Sequence, residues 1–590
     1  MKNALSTLCL GLLVAGASAQ VTTPGSEYII QGVYSPTLMD AQKIDLRPQP
    51  IDTILPDLPV RYEMLPAKAE IPAKVDSIAA AKLSVLAPQP KLYKGFVKAG
   101  FGLYTTPLGE LYYDQTRSRK NGYGLHVKHF SSNGGLDDVG PSDYSFNSID
   151  GYYKHFLDDH EASGKLIYDR RRISYYGYPS NDSIQEALDT LEAPEDAFKQ
   201  FYNDIGFAGR LRSLYTDSTK LSHDIGLEVH SYSNLSKSRE TNMRLTAAGQ
   251  KTLGKETYGG TLLIDNNAYR GQISDELGDF RQNGTLVGLE PWVSTKGDAY
   301  LVRVGVGLFV DAMGATTFHF FPQAYAHYSL FNDILIPYAG LQGERRRNSF
   351  RSLTRENPWL TGGPSLTNSS LLYDLYGGLR GSFSSDLGFD VRVSKSREDN
   401  MPLFVNTPNQ PFGDRMAVVY DRVDILDLSG ELNYRQKEAL SFTARVDVFT
   451  YATKVQQEAW NLPPYQLSFG ARYDMRSKLI VKAEAQLLGK RPAYRLAGPL
   501  ENGVLVVQSE QVDLDGFLDL YLGLEYRYTK RLSLFIDLSN LSASKYERWY
   551  RHPVQRSLLL GGVTYAFWRR SFPAGWLPDG GLAGHALGCA

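Results

Sequence analysis

From about residue 92 onward the chain is written in segments of period two. Val302, Val304, Val306, Leu308 and Val310 alternate with Arg303, Gly305, Gly307 and Phe309. Tyr465, Leu467, Phe469, Ala471 and Tyr473 alternate with Gln466, Ser468, Gly470, Arg472 and Asp474. The same pattern holds from Leu479 to Leu487 and from Leu532 to Leu538. A period of two sends each set to its own face of a sheet. A soluble sandwich also has one apolar and one polar face, so length and chemistry must separate the cases. These runs are mostly 10 to 14 residues, whereas soluble strands are usually about 5–6 and tilted membrane strands about 9–11 plus an overhang. The second face carries Arg, Lys, Glu, Asp and Gly, which suits a wet interior. The pattern predicts an all-β chain, a transmembrane antiparallel up-and-down β-barrel.

Connections set the count. Short ones fall at 158–161, 215–220, 254–256, 296–298, 331–333, 384–386, 437–439, 476–478 and 530–531. Longer ones lie at 132–143, 179–198, 270–282, 346–368, 397–414, 452–463, 490–507 and 542–555. Strict alternation of short turns and long loops is expected of such a barrel. Residues 92–567 then hold about 22 strands, the weakest segments being 238–250 and 257–269.

The termini fit export. MKNALSTLCLGLLVAGASAQ has a positive start, an apolar stretch from Leu8 to Ala15 and the small-residue site Ala17-Ser18-Ala19, which predicts a signal peptide over 1–19. Cys9 leaves with it, so Cys589 alone remains and no internal disulfide or cysteine-built metal site can form. No later stretch approaches the roughly 20 apolar residues of a membrane helix. Lys+Arg 63 against Asp+Glu 64 argues against a nucleic-acid partner bound through a basic field.

The end of the repeat region reads LSLFIDLSNLSASKYERWYRHPVQRSLLLGGVTYAF. It resembles the C-terminal end of TonB-dependent outer-membrane receptors. The matching residues are Asn540, Leu541, Tyr546, Pro553, Arg556, Gly562, Tyr565 and Phe567, with Gln555 where that pattern has glycine. The resemblance implies that Val563, Tyr565 and Phe567 form the signal read by the barrel-assembly machinery. The segments 93–114, 126–135 and 416–435 are similar to a receptor-like barrel family common in Bacteroidota, which implies 22 strands. The front of the chain departs from a true receptor, whose lumen is filled by a plug. Only 20–91 precede the barrel, and eight of the 29 prolines lie between Pro48 and Pro90. This segment reads as extended, periplasmic or luminal. Residues 568–590, Gly- and Pro-rich, read as a non-barrel tail.

Candidate sites follow. Glu27, Tyr28, Ile29, Ile30, Val33 and Tyr34 lie in a β-prone run near the mature N-terminus, suited to strand addition with TonB or another periplasmic partner. Arg170, Arg171 and Arg172, and Arg345, Arg346 and Arg347, stand at the outer ends of strands. Their guanidinium forks suit lipopolysaccharide phosphates or an anionic cargo. The alternative is a rim neutralised by Asp169 and Glu344, with alternate arginines directed into the lumen. Ser183 to Glu186 is a capping box for a short surface helix, and its nearby acids lack calcium-loop spacing. His126 and His129, three apart on one strand, face opposite sides. No HExxH, P-loop or GxSxG occurs, so no enzyme activity, metal or cofactor is expected. The expected task is uptake or binding of an unidentified small solute at the cell outer membrane, in contact with its lipid and lipopolysaccharide. The alternatives are a structural or assembly component that scaffolds partners through 20–91, and a passive diffusion channel.

Overall fold

The computed structural model describes residues 93–115, 118–178, 198–274, 278–406, 415–437, 439–497, 500–501, 504–505 and 508–567. The leader, the Glu27–Tyr34 run, the connection 179–197 with its capping box, and the tail 568–590 lie outside these.

Twenty-two strands form one closed antiparallel sheet. Those the argument uses are β1 (Gly95–Gly102), β5 (His160–Ser174), β6 (Lys199–Ser213), β7 (Ser222–Asn234), β8 (Arg239–Leu253), β9 (Glu256–Ser274) and β10 (Gly278–Lys296). Further along the ring come β11 (Tyr300–Met313), β13 (Leu335–Arg346), β14 (Ser369–Ser384), β15 (Leu387–Asn406), β16 (Met416–Gln436), β25 (Leu532–Ser539) and β28 (Leu558–Phe567). Each pairs with its neighbour in sequence, and β1 pairs with β28 from Gly95↔Phe567 to Gly102↔Leu560 to close the ring. The seam demands glycine: a Cβ on Gly95 would sit 2.1 Å from the Phe567 ring, and one on Gly562 would sit 2.2 Å from the Ala99 carbonyl oxygen.

The two faces are as the alternation requires. Phe320 is 61% exposed while Phe321 beside it is 2% exposed. Tyr465, Leu467, Phe469 and Tyr473 all point outward and exposed, as do Leu559, Val563 and Tyr565. An apolar belt outside a closed barrel is stable against lipid, where the ring leaves no strand edge unpaired. The inner face is ionic. His126 lies 3.2 Å from Glu110 and 3.0 Å from Asp150, and Lys98 lies 3.1 Å from Asp537. His129, on the outer face, meets Asn147 instead.

The strand number matches the expectation, and the weak segments are the full strands β8 and β9. Strict alternation of connections does not hold. Outer connections at 103–105, 235–238 and 314–316 are as short as the inner turns. The expected loop 270–282 is the top of a ribbon in which β9 and β10 pair from Gly271↔Phe280 down to Glu256↔Thr295. β15 and β16 likewise carry their ladder through Asn406↔Met416, inside the expected loop 397–414. Above the lipid both faces of a strand meet water, so polar residues and glycine there resemble a loop in sequence.

Candidate functional site: a loop layer across the mouth

The connection from β13 to β14 does not project outward. Ser349 starts a short helix, α1 (Phe350–Glu356), accepting from the Ser352 backbone N–H at 3.0 Å while the Ser352 hydroxyl occupies the Ser349 N–H. This reciprocal cap satisfies donors that a helix start leaves open. Pro358 ends it, since the residue before proline avoids the helical region, and Asn357 is extended (φ −128, ψ 100).

The wall holds this helix through buried carboxylates. Glu240 of β8 accepts from the Phe350 and Arg351 N–H groups at 3.0 and 2.8 Å. Asp204 of β6 accepts from Arg351 at 2.6 Å, from Arg355 at 2.7 Å and meets His230 at 2.9 Å. Asp265 of β9, fully buried, takes Arg347 at 3.0 Å and Arg244 at 2.8 Å. Ionised groups withdrawn from water persist only when paired and hydrogen-bonded. An apolar cluster underlies them: Phe350 and Leu353 pack with Tyr202, Tyr232 and Tyr269. Each aromatic of this size removes 150–250 Å² from water, worth several kcal/mol at about 25 cal/mol per Å².

The loop then spans the ring. The Trp359 indole donates to the Ser174 carbonyl at 3.1 Å, and the Tyr175 hydroxyl donates to the Leu360 carbonyl at 3.1 Å. These two loop residues also join the opposite wall: the Met416 N–H donates to the Trp359 carbonyl at 2.9 Å, and Leu360 bridges Met416 in parallel. β5 and β16 stand half the 22-strand ring apart. The return limb is tied at Leu366, whose N–H and carbonyl both engage Gln282 of β10 at 2.9 and 2.6 Å.

A second loop completes the layer. Between β25 and β28, a small hairpin of β26 (Glu547–Trp549) and β27 (His552–Pro553) lays His552 on Trp359 at 4.5 Å between centroids and Trp549 on Phe404 at 5.0 Å. Arg491 donates to the Glu547 and Arg548 carbonyls, both at 2.6 Å. Burial pushes the Glu356 carboxyl up to about 7, with Glu398 adding and Arg548 opposing. Burial lowers Arg355 to about 10, reinforced by Arg351 and Arg171 and opposed by Asp204 and Asp169.

The predicted arginine rim divides. Arg170 points outward over the Phe201 ring at 4.8 Å. Arg171 pairs across β5–β6 with Tyr202 on the luminal face, and Arg172 holds Asp143 at 2.7 Å. Arg345 holds Asp311 at 2.7 Å, Arg346 takes Glu344 and Glu398, and Arg347 takes Asp265. The second triplet is thus neutralised inside the protein rather than forming an anion rim, because a bulge after Gln342 turns the end of β13 inward. Glu344 pairs with Arg346 as the neutralised reading expected, whereas Asp169, expected to neutralise the first triplet, meets Arg355 of the loop. Val563 and Tyr565 face outward. Asn540 is buried, bonded to the Ser544 and Gln555 carbonyls at 2.9 Å, and Tyr546 donates to Asp519 at 2.7 Å. Gln555, standing where the receptor pattern has glycine, ties its loop to Gly134. Sequence reasoning missed α1 and its wall carboxylates; the one local signal was Ser349 followed by Phe350 and Leu353. Among the described residues no group of three or more His, Cys, Asp or Glu is placed to hold a metal.

No protein-family model matches this chain, and no curated protein does. Solved structures do. The pyoverdine outer membrane receptor FpvA from Pseudomonas aeruginosa is similar at TM-score 0.57 and 12% identity, covering 81% of this chain and 79% of the receptor. The FrpB iron transporter from Neisseria meningitidis is similar at 0.61 and 10%, covering 81% and 82%. The copper transporter OprC is similar at 0.56 and 11%, covering 81% and 82%. The chain therefore has the closed 22-stranded barrel fold found in TonB-dependent siderophore and metal receptors of the outer membrane.

Proposed function

We propose that this protein is an outer-membrane receptor that binds a small solute at its extracellular loops and takes it up through the barrel. The observation that carries this reading is the 347–368 loop. It links opposite walls through neighbouring residues and is held by buried ion pairs, so entry requires the loop to be displaced. A solute that competes for the arginines or the aromatic cluster supplies that displacement. An open passive channel fits poorly with such a layer. The Glu27–Tyr34 run is the segment we assign to TonB, by strand addition, and the leader 1–19 to export.

Growth or uptake on a panel of chelated metals and small anions, with and without the gene, tests the reading. A solute-specific defect restored by the wild-type gene but not by a chain lacking 27–34 is the expected result. No defect on any solute, together with a stable partner recovered through a tag placed after residue 19, would favour the scaffold instead. The same closed mouth supports that second reading, because a scaffold needs no open lumen.

A further inference from the structure

The outer wall at β5–β8 carries a polar groove that transport does not explain. Arg170, Asn203, Ser233 and Arg239 occupy one outward row, joined by the register Arg170↔Asn203, Asn203↔Ser233 and Ser233↔Arg239. Three inter-strand steps separate the two arginines, about 14 Å of wall. Together with Lys237 they line a cavity of about 590 Å³. Lys237 overhangs it from the 235–238 turn at φ +59, and Gln200 fixes that turn by accepting from the Leu235 N–H at 2.8 Å.

Two observations define the ligand. First, Arg170 and Arg239 are exposed and meet no carboxylate among the described residues. Other outward arginines near the rim clasp their own acids: Arg270 with Asp279, Arg397 with Asp424, Arg422 with Asp399. Second, the wall immediately below is apolar and exposed, with Ile205 at 59%, Leu166 at 65% and Met243 at 48%. A soluble anion has no use for that surface. A lipid has: its chains lie on the apolar rows while its headgroup phosphate meets two guanidinium forks and the Ser and Asn side chains.

We infer that this groove binds a phosphorylated headgroup of an outer-leaflet lipid, on the lipopolysaccharide pattern. The inference rests on the outer-membrane placement and not on solute uptake. It also gives Arg170 a role distinct from Arg171 and Arg172.

The test is native mass spectrometry of the full chain in detergent, titrated with diphosphorylated lipid A, with the same lipid after phosphatase treatment, and with inorganic phosphate as competitor. Wild type is expected to retain the diphosphorylated lipid, and phosphatase treatment to weaken it. R170A/R239A is expected to lose roughly tenfold or more in affinity, the scale of one lost charge-assisted contact. R170K/R239K is expected to fall between the two. Heat-modifiable gel migration, unchanged in every variant, shows that the barrel is intact. Equal retention by wild type and R170A/R239A would overturn the inference. So would full competition by inorganic phosphate without any preference for the acylated ligand, which would make the groove a free-anion site.

Discussion

Two runs of three arginines meet different fates in this barrel. At 170–172 the run sits on a regular strand, so parity alone sorts it: Arg170 and Arg172 outward, Arg171 toward the lumen. At 345–347 a bulge ends that regularity, and all three arginines are consumed by Asp311, Glu344, Glu398 and Asp265. The same three letters therefore leave one outward arginine, Arg170, with no carboxylate among the described residues in one place and make a complete fastening in the other. What decides is the backbone beneath them, and how many carboxylates the facing wall supplies.

The contrast can be broken from the fastening side first. Arg347→Ala leaves Asp265 buried with Arg244 as its one cation among the described residues and Asn242 as a neutral donor, and removal of one partner of a buried pair costs about 3–5 kcal/mol. With Arg244 remaining, we expect the lower end of that range, read as a fall in the temperature of gel-mobility conversion. Asp204→Asn strips Arg351 and Arg355 of their shared carboxylate and should release α1, at about 2 kcal/mol. Protease cleavage within 347–368 of folded protein should appear in this variant and not in wild type. On the other triplet, Arg170→Ala should change stability by no more than about 0.5 kcal/mol, as expected of an exposed side chain. Its stability matching that of Arg347→Ala would erase the distinction.

The smallest effect is one of pH. Glu356 has its pKa raised in the folded protein, so its protonated form favours the closed loop. That contribution is full below the ordinary glutamate value near 4.5 and is lost as pH rises through about 7. Protease sensitivity of the loop should rise across that window and become flat in Glu356→Gln.

The barrel was legible because lipid and lumen impose their chemistry on alternate residues over the whole strand length; Tyr465 to Tyr473 shows it without help. Legibility stopped at the lipid boundary. Residues 270–282 looked like a loop because a ribbon standing in water has no apolar face to declare it. The mouth was illegible for another reason. Asp204, Glu240 and Asp265 sit on three different strands, and nothing in their local sequence says that Arg347, Arg351 and Arg355, about a hundred residues on, will lie across them. Asn540 and Tyr546, met first as matches to a receptor pattern, have a physical role as the buried ties of the last loop.

The most direct test of the crossing loop is a disulfide between Leu360→Cys and Met416→Cys, in a Cys589→Ser background. These bridge partners approach as closely as paired strands do, within the Cα separation of about 4.4–6.8 Å that a disulfide needs. The account predicts that the bond forms in intact cells without added oxidant, fixing Leu360, whose carbonyl also accepts from Tyr175 just beyond β5, to the start of β16. Two thiols that stay free and alkylate independently would contradict it.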